Sequence, residues 1–88
     1  MSFTHGMNVE QVRQLGNTLQ SKAEEVRSLV GQIDGQLNGT TWEGPDAQRF
    51  KGSEWPEHKN RLMQAAEVLQ NFGQSALNNA SAQESTSA

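Results

Sequence analysis

The residues best equipped for chemistry are few, and their spacing is poor for it. His58 follows Glu54 by four positions, so on a helix both would face the same way. An imidazole and a carboxylate at that spacing can begin a zinc site, but zinc wants three or four such ligands. No third ligand stands nearby, and the HExxH pattern of a helical zinc hydrolase is absent. The pair is read as belonging to the border of a packed helix, and His5 as an end residue. The chain has no Cys and no Tyr, and no Ser has a His and an acid at a recognisable triad spacing. The glycines form no phosphate-cradling loop. Arg49, Lys51, Lys59 and Arg61 are interleaved with Glu54 and Glu57, the pattern of a solvated helix face. These residues predict no enzyme, no cofactor and no metal.

A second group can do the chemistry of recognition. Trp42-Glu43-Gly44 lies near the middle of the 88 residues. Indole combines a large apolar body with one N–H and anchors well in interfaces. Glycine lets a chain turn sharply or lets another backbone come close. Trp42 therefore reads either as a docking element at the tip of a turn or as a cap on the end of a helix pair. The two roles are compatible.

The elements that hold this tripeptide are two amphipathic stretches. The first runs from about residue 8 to 38. Its apolar residues step by threes and fours, as on one face of a helix. Val12, Leu19, Val26 and Ile33 recur every seven residues, with Leu15 beside them. The stripe is wider than a strict zipper seam and suits a bundle. Gly16, Gly31 and Gly35 interrupt it, each costing roughly 0.8–1 kcal/mol against Ala in a helix interior. Gly39 is expected to close the helix in the left-handed conformation. Pro45 suits the first position of the next helix, and Asp46 complements its dipole.

The second stretch covers about 45–77. Trp55, Leu62, Leu69 and Ala76 again recur every seven residues, with Phe50 and Phe72 widening the stripe. Pro56 would remove a hydrogen bond and clash with the preceding turn, so a kink or short break is expected around Gly52–Trp55. Residues 78–88 are small and polar and read as a flexible tail. The expected fold is all-α: one domain over 1–77, an antiparallel two-helix hairpin with its turn at about 39–44.

Only 33% of residues are apolar, and so short a chain buries a modest share of its surface. Without disulfides, oligomerisation is the usual remedy. Two helices can cover only part of stripes this wide, and an exposed apolar band marks an interface. A second hairpin laid on it makes a four-helix bundle. At ~25 cal/mol per Å², a contact of ~1,600 Å² has the driving force to organise the protein. The expected core and dimer interface is Val12, Leu15, Leu19, Val26, Ile33, Phe50, Trp55, Leu62, Leu69 and Phe72.

The net charge of −3 argues against nucleic acid as a partner. Residues 1–7 lack the basic start and apolar run of a signal peptide. No apolar run is long enough to span a bilayer, and the helix faces are poor in the Lys and Arg that favour a membrane surface. These rules alone place the protein in the cytoplasm, as a helical adaptor or coiled-coil dimer.

Trp42-x-Gly44 between two helices, in a chain of this length, resembles the WXG-motif family of early-secreted-antigen-like proteins. Ala47 and Phe50 follow the motif at the family's spacing, and Trp55 matches a frequent second aromatic. The resemblance covers essentially the whole chain. It implies a hairpin that dimerises with itself or a WXG paralogue. It also implies export by a type VII (ESX-like) secretion system without a cleaved signal peptide. In the family, the W-x-G turn of one protomer lies beside the partner's C-terminal end as a composite signal, and a membrane-bound ATPase engages the substrate's C-terminal region. Trp42 and Gly44 would then be the turn half of that signal. Many family dimers carry Tyr-x-x-x-Asp/Glu after the second helix. This chain has no Tyr, and Phe72-Gly73-Gln74-Ser75-Ala76 lacks the acid.

Overall fold

The computed structural model describes residues 6–87; His5 and the rest of residues 1–5, with Ala88, lie outside them. The chain is an antiparallel helical hairpin. Helix α1 spans Val9–Asn38, the short α2 spans Pro45–Arg49, and α3 spans Trp55–Ser87. A π-helical turn, Phe50–Glu54, joins α2 to α3. No strand occurs among the described residues.

Helix α1 starts where the sequence predicts. The Asn8 side chain accepts from the Gln11 N–H at 2.9 Å, satisfying one of the donors a helix start leaves unpaired, worth ~1 kcal/mol. Its end differs from expectation. Gly39 is right-handed (φ −88°), and its N–H donates to Gly35 O. Thr40 Oγ1 donates to Gln36 O at 2.6 Å, satisfying another terminal carbonyl. Because these bonds complete the helix end, no left-handed residue is needed there. The reversal falls instead on Gly44, whose φ of 108° and ψ of 176° lie in a region open essentially to glycine alone. Pro45 and Asp46 take the expected first-turn places of α2.

The irregularity expected around Gly52–Trp55 is a π turn, Phe50–Glu54, just before Pro56: the Trp55 N–H reaches Phe50 O, one residue further back than in an α-helix. The second helix also runs on to Ser87 rather than ending near Leu77. Residue 78 onward remains helical because it packs: Ala80 is fully buried, and Glu84 pairs with Arg13 at 2.8 Å.

The two helices meet along small residues. Gly16, Ala23 and Val30 on α1 recur every seven positions and are buried; so do Ala66, Gly73 and Ala80 on α3. At the Gly16–Gly73 crossing the backbones nearly touch. A Cβ on Gly16 would lie 2.9 Å from Gly73 O, and one on Gly73 would lie 2.7 Å from Gly16 O. The larger apolar residues expected at the centre flank this line instead. The molecule is a rod: its radius of gyration is 19.5 Å, against ~12 Å for a compact domain of this length.

Candidate functional site

An α-helix turns about 100° per residue. Relative to the Gly16–Ala23–Val30 line, Val12, Leu19, Val26 and Ile33 therefore fall about 40–60° to one side. Gln20, Arg27 and Asp34 fall about 40° to the other. The same rule on α3 puts Leu62, Leu69 and Ala76 on one flank of the Ala66–Gly73–Ala80 line and Gln70 and Glu84 on the other. In an antiparallel pair the like flanks adjoin. The rod accordingly has one broad apolar face and an opposite face that is polar along α1 but on α3 alternates Met63 and Leu77 with Gln70 and Glu84.

Cross-helix hydrogen bonds mark out the polar face. Arg13 reaches Glu84 at 2.8 Å, Gln20 reaches Gln74 at 3.3 Å, and Arg27 reaches Gln70 at 2.5 Å. At the turn end, Asp34 accepts from Trp55 Nε1 at 2.7 Å and from Lys59 Nζ. The α1 members, 13, 20, 27 and 34, are spaced by seven. Both donors hold the Asp34 carboxyl below its ordinary value of 3.8, the Lys59 hydrogen bond first and the Trp55 indole second. The sequence reading missed this ladder. Its signal is a polar residue four positions after each of Gly16, Ala23 and Val30.

The opposite face is uncovered. Leu15, Leu29 and Phe72 are 53%, 56% and 60% exposed. Ile33 and Leu62 are also exposed, while Val12, Leu19, Val26 and Leu69 are half-buried. The predicted interface residues are thus mostly brought onto one surface. Trp55 is the exception, since its indole is committed to Asp34. Val68 is exposed too, but on the side of α3 turned away from α1.

At the tip, Trp42 packs on Phe50 with ring centroids 5.5 Å apart and planes tilted by 50°, a favoured aromatic geometry. Lys51 Nζ donates to Trp42 O at 2.9 Å, tying the loop to the π turn. Trp42 is nevertheless 40% exposed. Beside it, Ile33, Leu37, Thr40 and Phe50 line a shallow notch that continues the apolar face toward the turn.

Glu54 lies 3.6 Å from Arg49 Nε, and His58 is exposed. Among the described residues no cluster of three or more His, Cys, Asp or Glu can hold a metal. No described helix is long and apolar enough to cross a membrane. Comparison with protein-family models, curated proteins and solved structures finds no match to this chain.

Proposed function

We propose that this chain is a non-enzymatic protein-interaction module that pairs through its apolar face. In this reading it is exported from the cytoplasm, without a cleaved signal peptide, as a substrate of a type VII (ESX-like) secretion system. The observation that carries the reading is the uncovered apolar face on a hairpin whose other face is already knitted by hydrogen bonds. A W-x-G turn at the tip, with Gly44 in a conformation that demands glycine, agrees with it. The partner is a second hairpin, itself or a WXG-type paralogue, and the secretion ATPase reads the assembled pair. Since no Tyr-x-x-x-Asp/Glu motif is present, the partner or another part of the C-terminal region supplies that half of the signal.

The test is export of Trp42→Ala from the native host, beside a strain lacking the secretion ATPase. The variant retains its helical content by circular dichroism, because the packed line between the helices does not involve residue 42. Its export falls. Unchanged export would remove the signal role. It would leave a second reading, a cytoplasmic helical adaptor in which Trp42 only caps the tip. The Trp42–Phe50 packing favours that rival.

A further inference from the structure

We propose that Asn38-Gly39, where α1 ends, is a site of self-modification: the Gly39 backbone nitrogen displaces the Asn38 side-chain amide, and the carboxylate formed at position 38 draws Lys51 away from the Trp42 loop. The site lies on the flank of Asp34, one turn further on, and holds regardless of what covers the apolar face.

Asn38 is the one asparagine of the sequence that glycine follows. The next backbone nitrogen can attack an asparagine at Cγ, and a side chain on that next residue crowds the approach. Glycine has none. Val9, Thr18, Arg61 and Phe72 follow other asparagines and crowd it. Asn78 and Asn79 lie inside α3, where the following N–H belongs to the helix. Asn38 is the last residue of α1, and Asn38, Gly39 and Thr40 are all exposed. The Gly39 N–H donates back to Gly35 O at 3.1 Å, so its nitrogen must leave that bond before it can turn to Asn38. This end of the helix is loosely held. Gly31 and Gly35 bring no side chain to it and face open space. No basic residue in the last turn meets its carbonyls. Besides the Gly39 bond, Thr40 closes it, through its N–H to Leu37 O at 3.2 Å and its hydroxyl to Gln36 O at 2.6 Å. Terminal turns held this way open at little cost.

Once the end opens, the Gly39 nitrogen gives up its proton and bonds to Asn38 Cγ. The Cγ–Nδ2 bond breaks, and the amide nitrogen takes up a proton and leaves as ammonia. The product is a five-membered imide. One water opens the ring at either carbonyl, leaving an aspartate or an isoaspartate, ionised at neutral pH. The new charge falls beside cations. Asn38 lines a cleft of about 290 Å³ together with Asp34, Lys51, Trp55 and Lys59. Lys59 is already paired with Asp34. Lys51 instead holds a neutral acceptor, the Trp42 carbonyl, at 2.9 Å. An ammonium–carboxylate pair outweighs an ammonium bonded to a neutral carbonyl. Lys51 is therefore drawn off, and the Trp42 loop loses that tie to the π turn.

The test incubates the full folded chain at mildly alkaline pH. Each asparagine is followed by peptide mass spectrometry, with isoaspartate detected by an isoaspartyl methyltransferase. Wild type converts at Asn38 an order of magnitude faster than at any other asparagine, and the product includes isoaspartate. Gly39→Ala suppresses conversion yet folds normally, because the backbone there is right-handed and the added Cβ comes no nearer than 3.4 Å to Gly35 O. Thr40→Val speeds conversion by about two- to tenfold, the weight of one hydrogen bond at the helix end. Conversion that occurs only in urea, or that is spread evenly over the asparagines, overturns the site. The fate of Lys51 is read by limited chymotrypsin cleavage after Trp42. Asn38→Asp speeds this cleavage several-fold, Lys51→Met speeds it as much, and the two together add nothing further. If Asn38→Asp leaves cleavage unchanged, or speeds it equally in the Lys51→Met background, the transfer of Lys51 is overturned.

Discussion

Asp34 shows how one carboxylate can tie two helices together. It sits on α1 and takes hydrogen bonds from two residues of α3, Trp55 and Lys59, one turn apart. Because these bonds favour the charged form, its folded pKa lies below the ordinary 3.8. The sign follows by linkage. The contribution to stability is fully present above the unfolded-chain value and is lost as pH falls through the lower folded value. Urea midpoints measured at pH 6 and near pH 3 should therefore drop more for wild type than for Asp34→Asn. An equal drop in both would deny the carboxylate this role. The partnership was not legible in the sequence. Asp34 stands between Ile33 and Gly35 with nothing to link it to Trp55 and Lys59, 21 and 25 residues away, until the register of the two helices is known. Trp42 and Gly44, by contrast, stood out because a turn between two amphipathic stretches limits what an indole and a glycine there can do.

At the scale of the elements, the glycines divide into two kinds. Gly31 and Gly35 face open space, while Gly16 and Gly73 meet the other helix's backbone. Gly31→Ala is expected to stabilise by up to ~1 kcal/mol, since alanine is the better helix former. Gly16→Ala gains the same propensity, but its Cβ would fall 2.8 Å from Leu77 Cγ as well as against Gly73 O. Overpacking of this kind costs about 1–3 kcal/mol, so the variant is expected to lose stability. Urea titration followed by circular dichroism checks both. Periodicity alone located the two helices and their apolar stripes, though not the end of the second, yet weighed Gly16, Gly31 and Gly35 alike as costs. Large residues dominate a hydrophobic pattern, so the finer repeat of small residues at 16, 23 and 30, answered at 66, 73 and 80, was overlooked. The same oversight cut the second helix short, because Ala80 reads as tail until it is seen as the last member of that repeat.

At the scale of the molecule, two rods meeting along glycine and alanine have little core between them. Among the described residues the buried apolar ones are Ala23, Val30, Ala47, Ala66 and Ala80, while the bulkier ones lie at the flanks. If a second hairpin covers those flanks, stability depends on concentration by mass action. Thermal unfolding midpoints should then rise between about 1 and 100 µM chain, and Phe72→Asp should flatten that rise. A midpoint independent of concentration in wild type would show a self-sufficient hairpin. The breadth of the stripes made the uncovered face legible from sequence, but not which residues would lie innermost.

The π turn also sets the phase of the tip. Counted as a plain α-helix, Ala47 would point about 100° away from Ala66, the nearest member of the line that runs on through Gly73 and Ala80. The wider turn at Phe50–Glu54 absorbs one residue, and Ala47 is buried. Between Ala47 and Trp55 the chain can therefore shed a single residue, relax to ordinary helix and keep both ends facing as they do. The same deletion beyond Trp55 would rotate the remaining side chains out of step with α1.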